Sequence, residues 1–143
     1  MSKAPPMQAE IELVRDGYAR FSAGDIRGVA EILDPDVQYV LPDVFPEGMG
    51  GVFHGRKEVL RMWESMLNEL EYWRVETEKF VPVPPDRLLV LARVKAKGRA
   101  SGAEIQMQTA DLLTVRNAMV VRAHIYRDPS EALRAVGIEE LDP

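Results

Sequence analysis

Residues 104–126 read EIQMQTADLLTVRNAMVVRAHIY. Apolar and polar side chains alternate on both sides of Asn117, a residue type that favours tight turns. The pattern predicts two β-strands, Glu104–Arg116 and Met119–Tyr126, joined as a hairpin. The last third of the chain is therefore expected to form antiparallel sheet.

The register of this hairpin decides which side chains share a face. A turn over 117–118 sets Asp111 opposite His124, whereas a turn over 116–117 sets it opposite Arg122. Both registers predict the same two faces, one with many polar groups and one almost wholly apolar. The polar face holds Thr109, Asp111, Leu113, Val115, Val120, Arg122, His124 and Tyr126. The apolar face holds Ala110, Leu112, Thr114, Met119, Val121, Ala123 and Ile125.

The remaining sequence predicts helices before the hairpin and a further strand pair. Helical spacing of apolar residues predicts three helices, over about 8–23, 26–33 and 56–70, and a short last helix over 129–136. Strands are predicted over 37–41, 72–83 and 87–100, and a long loop over 42–55. This order indicates one α+β domain over 8–143, with a strongly curved mixed or antiparallel sheet wrapped around three N-terminal helices. Residues 1–7 are expected to be a disordered tail.

The composition excludes several kinds of site. The 143 residues include no cysteine, which rules out a disulfide framework, a thiolate zinc site and a cysteine nucleophile. A net charge of -5 argues against a nucleic-acid-binding surface. No apolar run is long enough for a membrane span and the N-terminus lacks a signal pattern, so we expect a cytoplasmic protein. The two histidines lack ligand spacing, so no metal or cofactor is expected.

Several short motifs resemble one protein superfamily. They are AGD at 23–25, DPDV at 34–37, HGRKEV at 54–59 and YRDPSEAL at 126–133. Together they resemble the SnoaL-like and ketosteroid isomerase-like superfamily, which has the fold of nuclear transport factor 2. The resemblance implies a cone-shaped α+β barrel that encloses a pocket for a small-molecule ligand, and it implies a homodimer. If the pocket takes the polar face of the hairpin, the apolar face at Leu112, Val121, Ala123 and Ile125 is exposed and needs a partner, which also predicts a homodimer.

The resemblance also implies that Asp111 points into the pocket, because ketosteroid isomerases have an acidic residue at the matching position. There it can act as acid or base, with Arg122, His124 and Tyr126 orienting it. Two other interpretations stay open: a structural ion pair between Asp111 and Arg122, and a polar face turned to water. The expected ligand-binding residues are Tyr18, Phe21, Leu41, Trp63, Met66, Arg93, Met107 and Thr109.

The match to the enzymes of this fold is incomplete. Leu41 stands where ketosteroid isomerases have their general-base aspartate, and Gly17, beside Tyr18, aligns with their tyrosine. The first hypothesis is a pocket protein for a small apolar or cyclic molecule, with cofactor-independent proton transfer of the isomerase, cyclase or dehydratase type. The alternative is a ligand-binding or dimerisation module without catalysis, which the missing first-strand carboxylate favours.

Overall fold

The structure is a computed structural model and describes residues 7–42 and 50–138. These residues form four helices: α1 (Gln8–Ser22), α2 (Ile26–Ala30), α3 (Arg56–Asn68) and α4 (Pro129–Ala135). Most of the predicted tail and residues 43–49 of the predicted long loop lie outside the described residues.

Local sequence explains where three of these helices begin. The Asp25 carboxylate accepts a hydrogen bond from the Gly28 N–H and so caps α2. In the same way, the Asp128 carboxylate accepts from the Ser130 N–H at the start of α4. Gly55 precedes α3 with a φ of 89°, which glycine adopts without strain. The predicted second helix is too long, because Leu33 already belongs to the first strand.

In the described part of the chain, six strands form one sheet. They are β1 (Leu33–Leu41), β2 (Gly51–His54), β3 (Leu70–Val83), β4 (Arg87–Gly98), β5 (Glu104–Arg116) and β6 (Met119–Tyr126). Their order is β2-β1-β6-β5-β4-β3; β1 and β6 are parallel, and the other neighbours are antiparallel. The prediction missed β2, a four-residue edge strand inside the expected loop, because it is too short to show alternation.

The sheet has helices on both faces. The first three helices pack on one face against a large apolar core that includes Leu88, Val90 and Leu113. The helix α4 packs on the other face, where Ala132 contacts a smaller cluster containing Leu89 and Leu112. The predicted α+β class, with N-terminal helices on a mixed sheet and a short last helix, is confirmed.

The hairpin of β5 and β6 contains an irregularity that the sequence did not reveal. Asn117 and Ala118 form the turn, with φ angles of 52° and 59°. Next to the turn Val115 pairs with Val120, as one predicted register requires, but beyond this pair the register shifts by one residue. Asp111 consequently pairs with Ile125.

The register shift corrects the prediction of the two faces. The extra residue in β6 reverses the alternation beyond it, as a β-bulge does. The partners of His124 and Tyr126 are Leu112 and Ala110, which belong to the outer face. The prediction that Asp111 shares a face with Arg122, His124 and Tyr126 is therefore wrong.

Candidate functional site

An apolar pocket of about 140 Å³ lies between the first three helices and the inner face of the sheet. Seven of the eight predicted ligand-binding residues line it: Tyr18, Phe21, Leu41, Trp63, Met66, Met107 and Thr109. The exception is Arg93, whose neighbour on β4, Val94, lines the pocket instead. Arg93 lies exposed on the outer face and forms an ion pair with Glu78 at 3.2 Å. Its predicted place in the pocket is wrong, because adjacent strand residues point to opposite faces.

Aromatic side chains from three elements form one side of the pocket. Trp63 of α3 is only 4% exposed. Its ring packs edge-on against Phe21 of α1 and Tyr39 of β1, with centroid distances of 5.1 and 5.8 Å. Such edge-to-face pairs stabilise a fixed ring arrangement, so these side chains form a well-defined wall.

Backbone contacts hold the helices that carry these rings. The hydroxyl of Ser22 donates to the Val75 carbonyl at 3.1 Å and accepts from its N–H at 3.0 Å, which fixes the end of α1 on β3. The guanidinium Nε of Arg56 donates to the Leu33 carbonyl at 3.0 Å, which fixes the start of α3 on β1. The pocket is therefore built on anchored elements.

The Asp111 carboxyl lies in the apolar wall formed by β5. Asp111 is 6% exposed, and the Tyr18 hydroxyl donates a hydrogen bond to its Oδ2 atom. Its Oδ1 atom is buried and has no hydrogen-bond partner among the described residues. Asp111 is thus paired with a neutral phenol, and the predicted interactions with Arg122 and His124 are not formed.

Burial dominates the acid–base behaviour of this pair. Desolvation raises the pKa of Asp111 to about 6, although the hydroxyls of Tyr18 and Thr109 pull the pKa down. Burial and then the nearby Asp111 charge raise the pKa of Tyr18 well above its ordinary value. The same two causes raise the pKa of Tyr39. Near neutral pH the tyrosines therefore stay protonated, while Asp111 can exchange a proton.

The three other predicted catalytic residues lie outside the pocket. The rings of His124 and Tyr126 stack on each other, with centroids 4.1 Å apart and planes 5° apart. Partial burial and the Arg122 charge lower the pKa of His124. Arg122 itself is exposed. These residues form a separate group on the outer face and do not contact Asp111.

Tyr39 and Arg127 are among the lining residues that the sequence reasoning missed. Tyr39 lines the pocket from β1. It lies two residues before Leu41 on the predicted strand, so the sequence could have placed both side chains on the same face. Arg127 lines the pocket directly after β6 and is exposed. Its position follows from the alternation of Ala123, Ile125 and Arg127, which the bulge obscured.

Two further observations concern the described residues as a whole. No group of three or more histidine, aspartate or glutamate side chains among them is placed to hold a metal ion. In the same residues, no helix is both long and apolar enough to cross a bilayer.

Solved structures with the same architecture are known. An NTF2-like protein of unknown function from Burkholderia pseudomallei is 25% identical, with 89% of this chain and 96% of that chain covered and a TM-score of 0.74. A putative SnoaL-like polyketide cyclase from Jannaschia sp. is 16% identical, with 95% and 96% covered and a TM-score of 0.74. TerC, co-crystallised with polyporic acid, is 22% identical, with 88% and 96% covered and a TM-score of 0.73.

Sequence comparison gives the family. Among curated proteins, no sequence matches the chain. The family model of the SnoaL-like domain matches residues 14–123, a region that runs from α1 into β6 and includes Tyr18 and Asp111. The match spans more than half of the chain, and the cone-shaped fold agrees with it. The chain therefore belongs to the SnoaL-like domain family.

Proposed function

We propose that the protein binds a small cyclic molecule that has a carbonyl or enol oxygen, and that Asp111 moves a proton on this molecule. The observation that carries the proposal is the buried Asp111 carboxyl, which accepts from Tyr18 at Oδ2 and leaves Oδ1 without a partner. A buried polar atom without a partner is costly, so Oδ1 is suited to a polar atom of a ligand. When ionised it accepts from a hydroxyl, and when protonated it donates to a carbonyl.

The pocket favours a ligand of about one ring. Its volume of about 140 Å³ is close to the roughly 150 Å³ of an engineered apolar cavity that binds benzene. Apart from Asp111, the inner wall of β5 consists of Met107, Thr109 and Leu113. Binding would thus combine apolar contacts with one directed hydrogen bond.

The chemistry that fits this site is proton transfer next to a carbonyl group. The ionised carboxyl removes a proton from the carbon beside the carbonyl, and the C–H electron pair moves into an enolate. The proton on Oδ1 then returns to another carbon of the enolate, which gives an isomer. In a molecule with a second carbonyl group, the enolate carbon instead attacks that carbonyl carbon, the C–O π pair moves onto the oxygen, and Oδ1 gives its proton to this oxygen, which leaves a closed ring bearing a hydroxyl. A pKa of about 6 suits both steps near neutral pH. The likeness to a putative polyketide cyclase supports this class of reaction.

A second candidate function is ligand binding without catalysis. Asp111 is the one carboxyl group among the described lining residues, and no histidine lies among them. Leu41, a lining residue, stands where related isomerases have their base. One carboxyl group is enough to form a hydrogen bond with a ligand oxygen. This candidate therefore requires Asp111 only to bind the ligand, and not also to transfer a proton.

Deuterium exchange separates the two candidates. With 2-cyclohexenone in D2O, NMR is expected to show that the wild-type protein accelerates exchange of the protons next to the conjugated carbonyl system. Asp111→Asn should lower this acceleration by about 10²- to 10⁴-fold. Asp36→Asn, which changes an exposed aspartate, is the matched control and should exchange like the wild type.

The exchange experiment has two further outcomes. Both tryptophans, Trp63 and Trp73, line the pocket, so their emission reports binding directly. If 2-cyclohexenone changes this emission but wild-type exchange equals that of buffer, the non-catalytic candidate stands. Equal acceleration by wild type and Asp111→Asn would contradict the role of Asp111.

A further inference from the structure

We propose that Arg127 binds a carboxylate of the ligand at the open end of the pocket, so that the ligand class is a cyclic compound with an acidic group. This inference rests on the proposed binding of a ligand oxygen at Asp111 and adds a second point of recognition. It concerns a residue that is not part of the proton-transfer pair.

The exposure of the β6 side of the wall increases toward Arg127. Val120 and Ala123 are 3% and 1% exposed, Ile125 is half-buried and Arg127 is exposed, and all four line the same pocket. On the parallel neighbour β1, the last described lining residue is Leu41, and Pro42 lines the pocket directly after the strand. Arg127 therefore lies at the solvent end of the wall, beyond the buried segment.

Arg127 has the charge and the freedom to bind an anion. It and Asp111 are the two charged side chains among the described lining residues. Within the described part of the chain, no carboxylate forms an ion pair with Arg127. By contrast, Arg93 and Arg116 are each paired with a carboxylate. A guanidinium at the edge of an apolar pocket matches a carboxylate in charge and in geometry.

The positions of Asp111 and Arg127 along the sheet indicate the length of the ligand. Asp111 pairs with Ile125, and Arg127 follows two residues later. Two residues of extended chain advance about 7 Å along a strand, so the backbone positions that carry the two side chains are offset by roughly this length, with Arg127 directly after the end of β6. A six-membered ring with an oxygen at one end and a short carboxylate arm at the other spans a similar distance. 4-Hydroxyphenylacetate has this form, and its amide has nearly the same shape without the charge.

Calorimetric titration with these two compounds tests the inference. Wild-type protein is expected to bind 4-hydroxyphenylacetate about tenfold or more tightly than 4-hydroxyphenylacetamide, as a charge-assisted hydrogen bond implies. Arg127→Gln should remove this preference, and Arg127→Lys, which keeps the charge, should retain part of it. Arg122→Gln is the matched control on the outer face and should leave the preference unchanged.

The outcomes distinguish the inference from the proposed function. The Asp111→Asn variant should bind both compounds more weakly than wild type does, and it should still bind the carboxylate more tightly than the amide. Equal binding of acid and amide by wild type would overturn the role of Arg127 and leave the Asp111 site standing. Loss of the preference in Arg122→Gln would also overturn it, because a general charge effect would then explain the preference. If neither compound binds, the proposed function fails and the inference fails with it.

Discussion

Asp111 keeps a titratable carboxyl among apolar side chains, and this placement makes stability depend on pH. Its pKa is about 6 in the folded protein, against an ordinary value of 3.8. Between these pH values the folded state binds more protons than the unfolded state. The free energy of unfolding therefore falls as pH rises from about 4 to about 6, and the loss is complete above that range. A shift of this size corresponds to about 3 kcal/mol.

Asp111→Asn is expected to stabilise the protein above neutral pH. The amide keeps an oxygen that can accept from the Tyr18 hydroxyl, and it carries no charge that would be buried. Urea unfolding at about pH 8 should give a free energy of unfolding up to about 3 kcal/mol higher for Asp111→Asn than for wild type. The difference should shrink toward pH 4. An Asp111→Asn protein that is less stable than wild type at pH 8 would contradict the destabilising burial of the Asp111 charge.

At the scale of the element, β5 and β6 show what the sequence could and could not predict. Both strands and the turn at Asn117 were predicted correctly, because the alternation is long and asparagine tolerates a positive φ. The bulge in β6 was not predictable, since Val120 and Val121 are both apolar and either fits a buried position. This one residue explains the wrong placement of His124 and the missed Arg127, whereas Asp111 lies on β5, which the extra residue does not interrupt.

The helix α4 is expected to be essential because it covers the apolar patch on the outer face of the sheet. Ala132 is 0% exposed in this contact, whereas Ala135 on the same helix is exposed. Ala132→Glu would bury an unpaired charge and should lower the free energy of unfolding by about 3 kcal/mol or more. Ala135→Glu, the matched control, should change it by less than about 0.5 kcal/mol. Equal stability of the two variants in urea unfolding would show that α4 does not pack on this patch.

At the scale of the whole molecule, the pocket was more predictable than its chemistry. The stripes of α1 and α3 have helical spacing, so Tyr18, Phe21, Trp63 and Met66 could be assigned to the interior from their positions. The pairing of Tyr18 with Asp111 joins residues 93 positions apart. That contact depends on how α1 crosses the sheet, which local sequence patterns do not contain.

The homodimer stays a prediction, and its basis has changed. Leu112, Val121, Ala123 and Ile125 were expected to form one exposed apolar face. Instead Leu112 belongs to the cluster covered by α4, while Ala123 and Ile125 line the pocket. The prediction now rests on the resemblance to the superfamily. Sedimentation at micromolar concentration should give twice the chain mass, and a species of 16.1 kDa alone would contradict it.

The central claim is that Asp111 is a buried acid–base group held by Tyr18. The most direct test is an NMR titration of the Asp111 carboxyl carbon in protein with labelled aspartate, with the signal assigned through Asp111→Asn. The account predicts a midpoint near pH 6 in the wild type. It predicts a higher midpoint in Tyr18→Phe, because the hydrogen bond that lowers the pKa of Asp111 is lost. A wild-type midpoint near the ordinary 3.8, or the same midpoint in Tyr18→Phe, would contradict the account.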